Sequence, residues 1–574
     1  MANVQEALAR ARQIIENQRL AKIAKQAANE EAAGMQRAVP LGIPSSSPTG
    51  LGGLTWNAEQ QLAIDYGFYG KTFCLIGPAG SGKTTTLRAM LLNLLQQNRL
   101  PPLEEATKHL VAGSPGVALI SFTRRAVRNI AKQMPEELKS HCITFHKLVE
   151  YGPEFYEVWD EDTQTSTAKV RFVPGRHGGN PLPRNLKLII IDESSMFSIE
   201  FFEQLIEALP HPHAVQFVFL GDLNQLPPVY GIPILAKMLS AKPIVELTQI
   251  YRQALESPII ALALGVKDNN FDEFNKLARN GWGAPPIFNA ASLKDKVTLV
   301  NPGNGKVTLH PWKKKIDQED ALNAMQGQLR IWMKEGIYDP DEDLVLCPWN
   351  TSFGTDELNL AIADYLSTSK GLIVHEVIAG FQKYYLSVGD KLLVDKQEAV
   401  ILKIDRNLRY MGKTPQHAST ELNRWGAGGK AGSVFDDNLT DEQLDLVLLH
   451  AADVVDRTAE ASHAIKVRFL DSDTEETLTK SAQLNAMSFA YAITVHKAQG
   501  SECRRVFLLT HACHAAMCSR ELIYTAITRA KEELYIVMEP GLLGKAASKP
   551  RIKGDTLADK IAFFQSRLED KGQA

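Results

Sequence analysis

The stretch LIGPAGSGKTTTL, residues 75–87, restricts the fold of this chain more than any other. An apolar run enters a glycine-rich turn, and a lysine and three threonines then open a helix-like segment, TTLRAMLLNLLQQ. The turn fits a phosphate loop at Gly77, Gly82, Lys83 and Thr84, with Pro78, Ala79, Gly80 and Ser81 inside it and Thr85 following. Glycines let backbone N–H groups approach phosphate oxygens, and the helix N-terminus adds its dipole. Lys83 is expected to reach the β- and γ-phosphates of a nucleotide, and the Thr84 hydroxyl to bind Mg2+. Many unrelated folds use such a loop, so its purpose has to come from other residues.

Three further runs, GVALISFT, KLIIIDE and AVQFVFLGD, are apolar throughout rather than alternating. That pattern predicts strands buried on both faces of a parallel sheet. Each ends in small or polar residues, at the carboxyl edge where ligands gather. A second series, EDLVLCPWN, RRVFLLTH and ELYIVM, predicts another α/β unit and a cleft between the two. Residues 150–186 read as a β-hairpin with a polar turn. Residues near 381–486 read as a small β-barrel-like insert with a Gly/Ala/Asp-rich excursion at 411–463. The first 38 or so residues should be helical, followed by the flexible linker GIPSSSPTGLGG.

Chain length matters here because 574 residues exceed one ordinary core, so roughly three or four domains are expected. No apolar run approaches the roughly 20 residues that span a bilayer. The N-terminus lacks the apolar core of a signal peptide, and six cysteines lie mostly in apolar runs. Cytoplasmic localisation is the expectation. A net charge of −3 does not advertise a nucleic-acid binder. Between Ser121 and Lys147, however, six Lys/Arg stand against two acids, a local surplus that the total conceals. A solvated basic helix face is the alternative for such a run.

Asp192 and Glu193 end a buried strand in LIIIDESSM. Beside a phosphate loop, the first can hold Mg2+ and the second can orient and deprotonate an attacking water. Asp222 and Gln225 in FLGDLNQLPPV are expected near the γ-phosphate. The cluster HACHAAMCS offers His and Cys, but no paired CxxC accompanies it, so it reads as structural.

The phosphate loop, DESSM, GDLNQLPPV, LTQIYRQ, TVHKAQGSE and YTAITRAK occur in the order found in superfamily 1 DNA helicases. The chain resembles the RecD-like and Dda-like branch, whose members move 5′ to 3′, from about Leu54 to Met538. The resemblance implies an α/β fold of two RecA-like parallel-sheet domains with a β-hairpin pin insert and a small SH3-like β-barrel insert. It implies a helical extension and linker at 1–53, and a first RecA-like domain at 54–149 and 187–252 around the pin at 150–186. The second RecA-like domain would occupy 253–380 and 487–540, with the SH3-like insert at 381–486 and a C-terminal tail at 541–574.

Roles are implied residue by residue. Gln60, in NAEQQLAI, looks like the adenine reader, since an amide can both donate and accept; without the adjacent motifs it would read as an ordinary exposed helix glutamine. Tyr251 would stack on adenine, and Arg252 would touch the γ-phosphate. Arg529 would supply a second guanidinium from the other domain, an arrangement worth roughly 10³–10⁵ in rate. Gly500, Ser501 and Glu502 would face the nucleotide, while Thr494 and His496 resemble strand-backbone contacts. Thr123, Arg124, Thr144 and His146 would also touch the strand, as would Pro348, Trp349 and Asn350. Trp349 reads equally well as a core residue. Phe155, Tyr156, Trp159 and Phe172 are candidates for stacking on the last base pair.

The implied function is an ATP-dependent DNA helicase using ATP and Mg2+, acting on single-stranded, duplex and fork DNA in replication, recombination or repair. An RNA or nucleoprotein remodeller and a helicase-like loader subunit are the alternatives. A protein partner through residues 1–50 is a further expectation.

Overall fold

The computed structural model describes residues 56–160, 165–227, 232–250, 256–279, 297–301, 304–311, 318–351, 353–394, 397–410, 460–470, 474–539, 541–554 and 556–572. The N-terminal helix and linker, Tyr251, Arg252 and nearly all of the 411–463 excursion therefore lie outside the described residues.

The four apolar runs of the first half form β1 (Phe73–Ile76), β2 (Val117–Ser121), β6 (Leu188–Ile191) and β7 (Gln216–Gly221). Short strands β3 (Cys142–Thr144) and β8 (Ile244–Glu246) complete a six-stranded sheet ordered β3-β2-β6-β7-β1-β8. All its pairings are parallel. Every residue of β1, β2 and β6 is buried, as expected when both faces are covered. The register pairs Ile76 with Gly221, which sets the stem of the glycine-rich loop beside Asp222. Between β3 and β6 the chain leaves the sheet as an antiparallel hairpin, β4 (Gly152–Asp160) and β5 (Thr165–Val173).

A second six-stranded sheet joins β9 (Val297–Asn301), β10 (Gly305–Pro311), β11 (Leu344–Cys347), β19 (Ala492–Thr494), β20 (Cys503–Leu509) and β21 (Ala530–Met538). Its order is β19-β11-β20-β21-β10-β9. All pairings are parallel except that of the edge strand β9 with β10. One core holds Ile259 and Leu262 with Leu522 and Ile527. Another packs Trp332, Leu358 and Ile362 against Phe507 and Val537.

Inserted in this half are β12 (His375–Ala379), β13 (Gln382–Leu386), β14 (Lys391–Val394), β15 (Gln397–Arg406), β16 (Glu460–Phe469), β17 (Glu475–Lys480) and β18 (Ser488–Phe489). The last five form one antiparallel sheet, and β12 pairs with β13. Their shared core takes in Val377 and Ala379, upstream of the insert's expected start at 381. Apolar residues on a short strand carry no local mark of which sheet they serve, so the structural insert starts earlier than the sequence suggests.

Residues 541–572 are more than a tail. Leu542 and Leu543 are buried in the core of the second sheet, whereas Ile552 and Phe564 are buried in that of the first. The helix Leu557–Gly572 packs on the helix Ile234–Ala241. The end of the chain thus ties both sheets together. Among the described residues no helix is long and apolar enough to cross a membrane.

Candidate nucleotide and strand site

The loop after β1 turns through left-handed conformations at Gly80 (φ +80°) and Gly82 (φ +85°), where a Cβ would be strained. Gly82 caps the helix Lys83–Gln96. Ser81 Oγ donates to Pro78 O at 2.9 Å, and Thr86 Oγ1 donates to Gly82 O at 3.0 Å. Lys83 folds back over the loop, its Nζ donating to Gly77 O at 2.6 Å and Pro78 O at 3.1 Å. Thr84 and Thr85 occupy the first helical turn, half-buried and exposed respectively.

Asp192 and Glu193 follow β6. Burial, and then the adjacent Glu193 carboxylate, push the Asp192 carboxyl up to about 7. Two carboxylates that repel each other beside a lysine suit a divalent cation. Glu193 itself sits at φ +51°, an uncommon conformation for a residue with a Cβ and one that marks functional sites.

Arg529, in the turn just before β21, crosses to this acid. Its Nη1 stands 3.7 Å from Glu193 Oε1 and donates to Ser501 O at 3.2 Å. Gln225 completes the group. With its amide oriented to satisfy both neighbours, it donates to Glu193 Oε2 at 3.0 Å and accepts from Arg529 Nη2 at 3.3 Å. Glutamine thereby reads a carboxylate and a guanidinium at once. Three of the residues picked from sequence are brought together in one constellation.

Other contacts bind the same surfaces. Leu226, next to Gln225, is fully buried in the core of the second sheet. Its N–H donates to Thr525 Oγ1 at 3.0 Å, and its carbonyl accepts from Gln499 Nε2 at 2.7 Å. Tyr524 Oη accepts from Ala79 N at 3.0 Å and donates to Asp222 Oδ2 at 2.6 Å. A cavity of about 170 Å³ lies alongside, lined by Gly77, Pro78, Asp222, Arg520 and Lys560 among others. Sequence reading assigned no role to Tyr524, Thr525 or Gln499, although all three stand inside quoted motifs.

Gln60 is buried, and its side-chain oxygen accepts from Asn57 N at 3.2 Å in a capping box, so half of its amide is already engaged. Glu502 is exposed and pairs with Lys531 at 2.8 Å. Its charge adds a little to the upward shift of the Asp192 carboxyl.

Thr123 caps the helix Arg124–Gln133, accepting from Ala126 N at 3.2 Å and reaching Gln499 O at 3.4 Å. Gly500, at φ +73°, packs so tightly on this helix that a Cβ would meet Ala126 Cβ at 2.6 Å. Asn129 donates to Gly500 O at 3.1 Å. Arg124 bonds Gln397 on β15, and Arg125 and Arg128 both pair with Glu398. The basic run is therefore a junction between both sheets and the insert, beyond a solvated face.

Thr144 is buried and caps the turn Phe145–Leu148, and His146 sits among Phe122, Phe145, Tyr151 and Phe201. Thr494 is likewise buried, its hydroxyl capping Lys497 N at 3.3 Å. Burial, and then Arg551, hold the His496 imidazole below its ordinary range. Pro348 is buried, whereas Trp349 is 43% exposed and Asn350 exposed, which takes the tryptophan out of the core. The cluster at 511–518 is bonded internally, with the His514 ring also meeting Phe353 O at 2.8 Å.

The family described as an AAA domain matches residues 60–231, and that described as a UvrD-like helicase C-terminal domain matches residues 489–537. The ATP-dependent RecD2 DNA helicase of Deinococcus radiodurans is 24% identical over 511 residues, 89% of this chain and 52% of that protein. A Methanocaldococcus jannaschii protein is 24% identical over 498 residues, 82% of this chain and 36% of that protein. The RecBCD enzyme subunit RecD of Mycolicibacterium smegmatis is 24% identical over 521 residues, 88% of this chain and 74% of that subunit. The chain thus spans about half or less of the first two. Family matches on both sheets, with relatives running through both, make the chain similar to RecD-like helicases of superfamily 1.

Proposed function

We propose that this chain is an ATP-dependent DNA helicase that moves 5′ to 3′ along single-stranded DNA and opens duplex ahead of it. The observation that carries the reading is Arg529 of the second sheet meeting Glu193 and Gln225 of the first. Hydrolysis would then require the two sheets to come together, which is how turnover becomes movement.

The residues of the first sheet fit a nucleoside triphosphate. The loop Gly77–Gly82 and Lys83 would hold its phosphates, and Thr84 and Asp192 would hold Mg2+. Bound Mg2+ supplies positive charge to the phosphate oxygens. Glu193 would orient the attacking water and take its proton, with Gln225 fixing Glu193 against Arg529. Gln60, Tyr251, Arg252, Gly500 and Glu502 are proposed as further nucleotide contacts.

Thr123, Arg124, Thr144, His146, Pro348, Trp349, Asn350, Thr494 and His496 are proposed to line the strand's path. Exposure of Trp349 supports stacking on a base, worth about 1–3 kcal/mol. The hairpin β4–β5 would serve as the pin and the β14–β18 sheet as an SH3-like module. Work in replication, recombination or repair, in the cytoplasm, is proposed with this activity.

Matched duplexes with a 5′ or a 3′ single-stranded tail test the proposal, given ATP and Mg2+. Opening from the 5′ tail alone is expected. Opening from the 3′ tail alone would reject the polarity, and turnover stimulated by RNA but not DNA would reject the substrate.

A further inference from the structure

Tyr524 is the fully buried residue that joins the phosphate loop to the second sheet. Its ring belongs to the second sheet's core, together with Leu522, Ile523, Ala526 and Ile527. The hydroxyl alone crosses over. It accepts from Ala79 N at 3.0 Å and donates to Asp222 Oδ2 at 2.6 Å, so both of its hydrogen-bonding directions are used. Asp222 is itself buried, and its Oδ1 accepts from Asn224 N at 2.9 Å and Asn224 Nδ2 at 2.8 Å. Asn224 Oδ1 in turn accepts from Lys560 Nζ at 2.6 Å, on the C-terminal helix. One network thus runs from the phosphate loop through the second sheet to the end of the chain.

We infer that Tyr524 is a positioning residue that couples phosphate-loop geometry to contact between the two sheets. The inference rests on reading this cleft as a nucleotide site. The position of the hydroxyl is set by the second sheet, while both groups it touches belong to the first. Its two bonds exist only when the sheets meet, at the same surface where Arg529 reaches Glu193 and Thr525 holds Leu226. A nucleoside diphosphate held by the loop itself does not need that contact. The hydroxyl should therefore act on turnover and leave the hold on diphosphate alone.

Tyr524→Phe in the full chain tests this, since it removes one oxygen and keeps the buried ring. Steady-state ATP turnover would be measured at saturating ATP, Mg2+ and oligo(dT), beside the affinity for a fluorescent ADP analogue and the melting temperature. The expected result is a kcat lower by roughly tenfold or more, the scale of a hydrogen bond to a carboxylate, with ADP affinity within about twofold. An unchanged kcat would overturn the inference. So would a kcat and an ADP affinity that fall together with the melting temperature, which marks a merely structural role. Combining Tyr524→Phe with Asp222→Asn gives a second test. The pair should lose less than the product of the single losses if the two act as one unit, and full additivity would count against the coupling. A wild-type chain that neither binds ADP nor turns over ATP would instead bring down the nucleotide reading, and the inference with it.

Discussion

The Arg529 guanidinium stands 3.7 Å from the Glu193 carboxylate, although one residue directly precedes the last strand of the second sheet and the other follows the third long strand of the first. Neither sheet holds both halves of the constellation. Gln225 bridges the two side chains.

Arg529→Ala should therefore lower kcat for ATP by roughly 10³-fold, the lower end for a guanidinium acting on a transferring phosphoryl group. Its Nε also donates to Thr525 O at 3.1 Å, so a melting curve must accompany the kinetics. Near-normal turnover in a folded variant would remove Arg529 from the catalytic set.

Glu193→Gln keeps the shape and removes the proposed base. Nucleotide and single-stranded DNA should still bind, while single-turnover hydrolysis falls by roughly 10²-fold or more, the usual range for a general base. Rapid-quench measurement of the first turnover decides it, and a rate close to the parent's would assign the base elsewhere.

Gly500→Ala places a methyl group 2.6 Å from Ala126 Cβ and 2.9 Å from Thr123 Oγ1, at φ +73°. Strain of about 1–3 kcal/mol is expected from the backbone conformation alone. The junction of the helix Arg124–Gln133 should open, so stimulation of ATP turnover by single-stranded DNA should fall more than unstimulated turnover. Equal losses in both would contradict a role in linking strand and nucleotide.

Glu398 holds both Arg125 and Arg128. Replacing it with alanine should leave two guanidinium groups more available to phosphates, tightening DNA binding and steepening its dependence on log salt by roughly 1.5, about 0.7–0.9 for each added phosphate contact. Anisotropy titrations across a salt series would show it. An unchanged slope would mean that these arginines do not face the strand.

Phe564→Ala empties a buried site shared by the C-terminal helix and the first sheet. A loss of about 3–5 kcal/mol is expected locally. The first sheet should melt earlier by calorimetry, and an unaltered transition would show that the helix is not part of that core.

The phosphate loop, the paired acids after β6 and the buried strands were legible because each is written in contiguous residues. A glycine-rich turn between a strand and a helix has few other uses, and a continuous apolar run has few places to go except the middle of a sheet. Short strands such as β3 and β8, three residues each, left no comparable signal. Trp349 was undecidable from sequence, because an aromatic after a buried strand reads the same way inside or outside.

Local sequence, then, determined the long buried strands, the glycines of the loop and the chemical identity of the acids, lysine and arginine. Tertiary structure alone decided that the Tyr524 hydroxyl rests on Ala79, that Leu226 is buried in the other sheet's core, that Glu398 neutralises a basic helix, and that the end of the chain returns to the first sheet. Periodicity and turn chemistry report on neighbours a few residues apart. Partners hundreds of residues apart are chosen by which surfaces pack together, and no short stretch of sequence carries that choice.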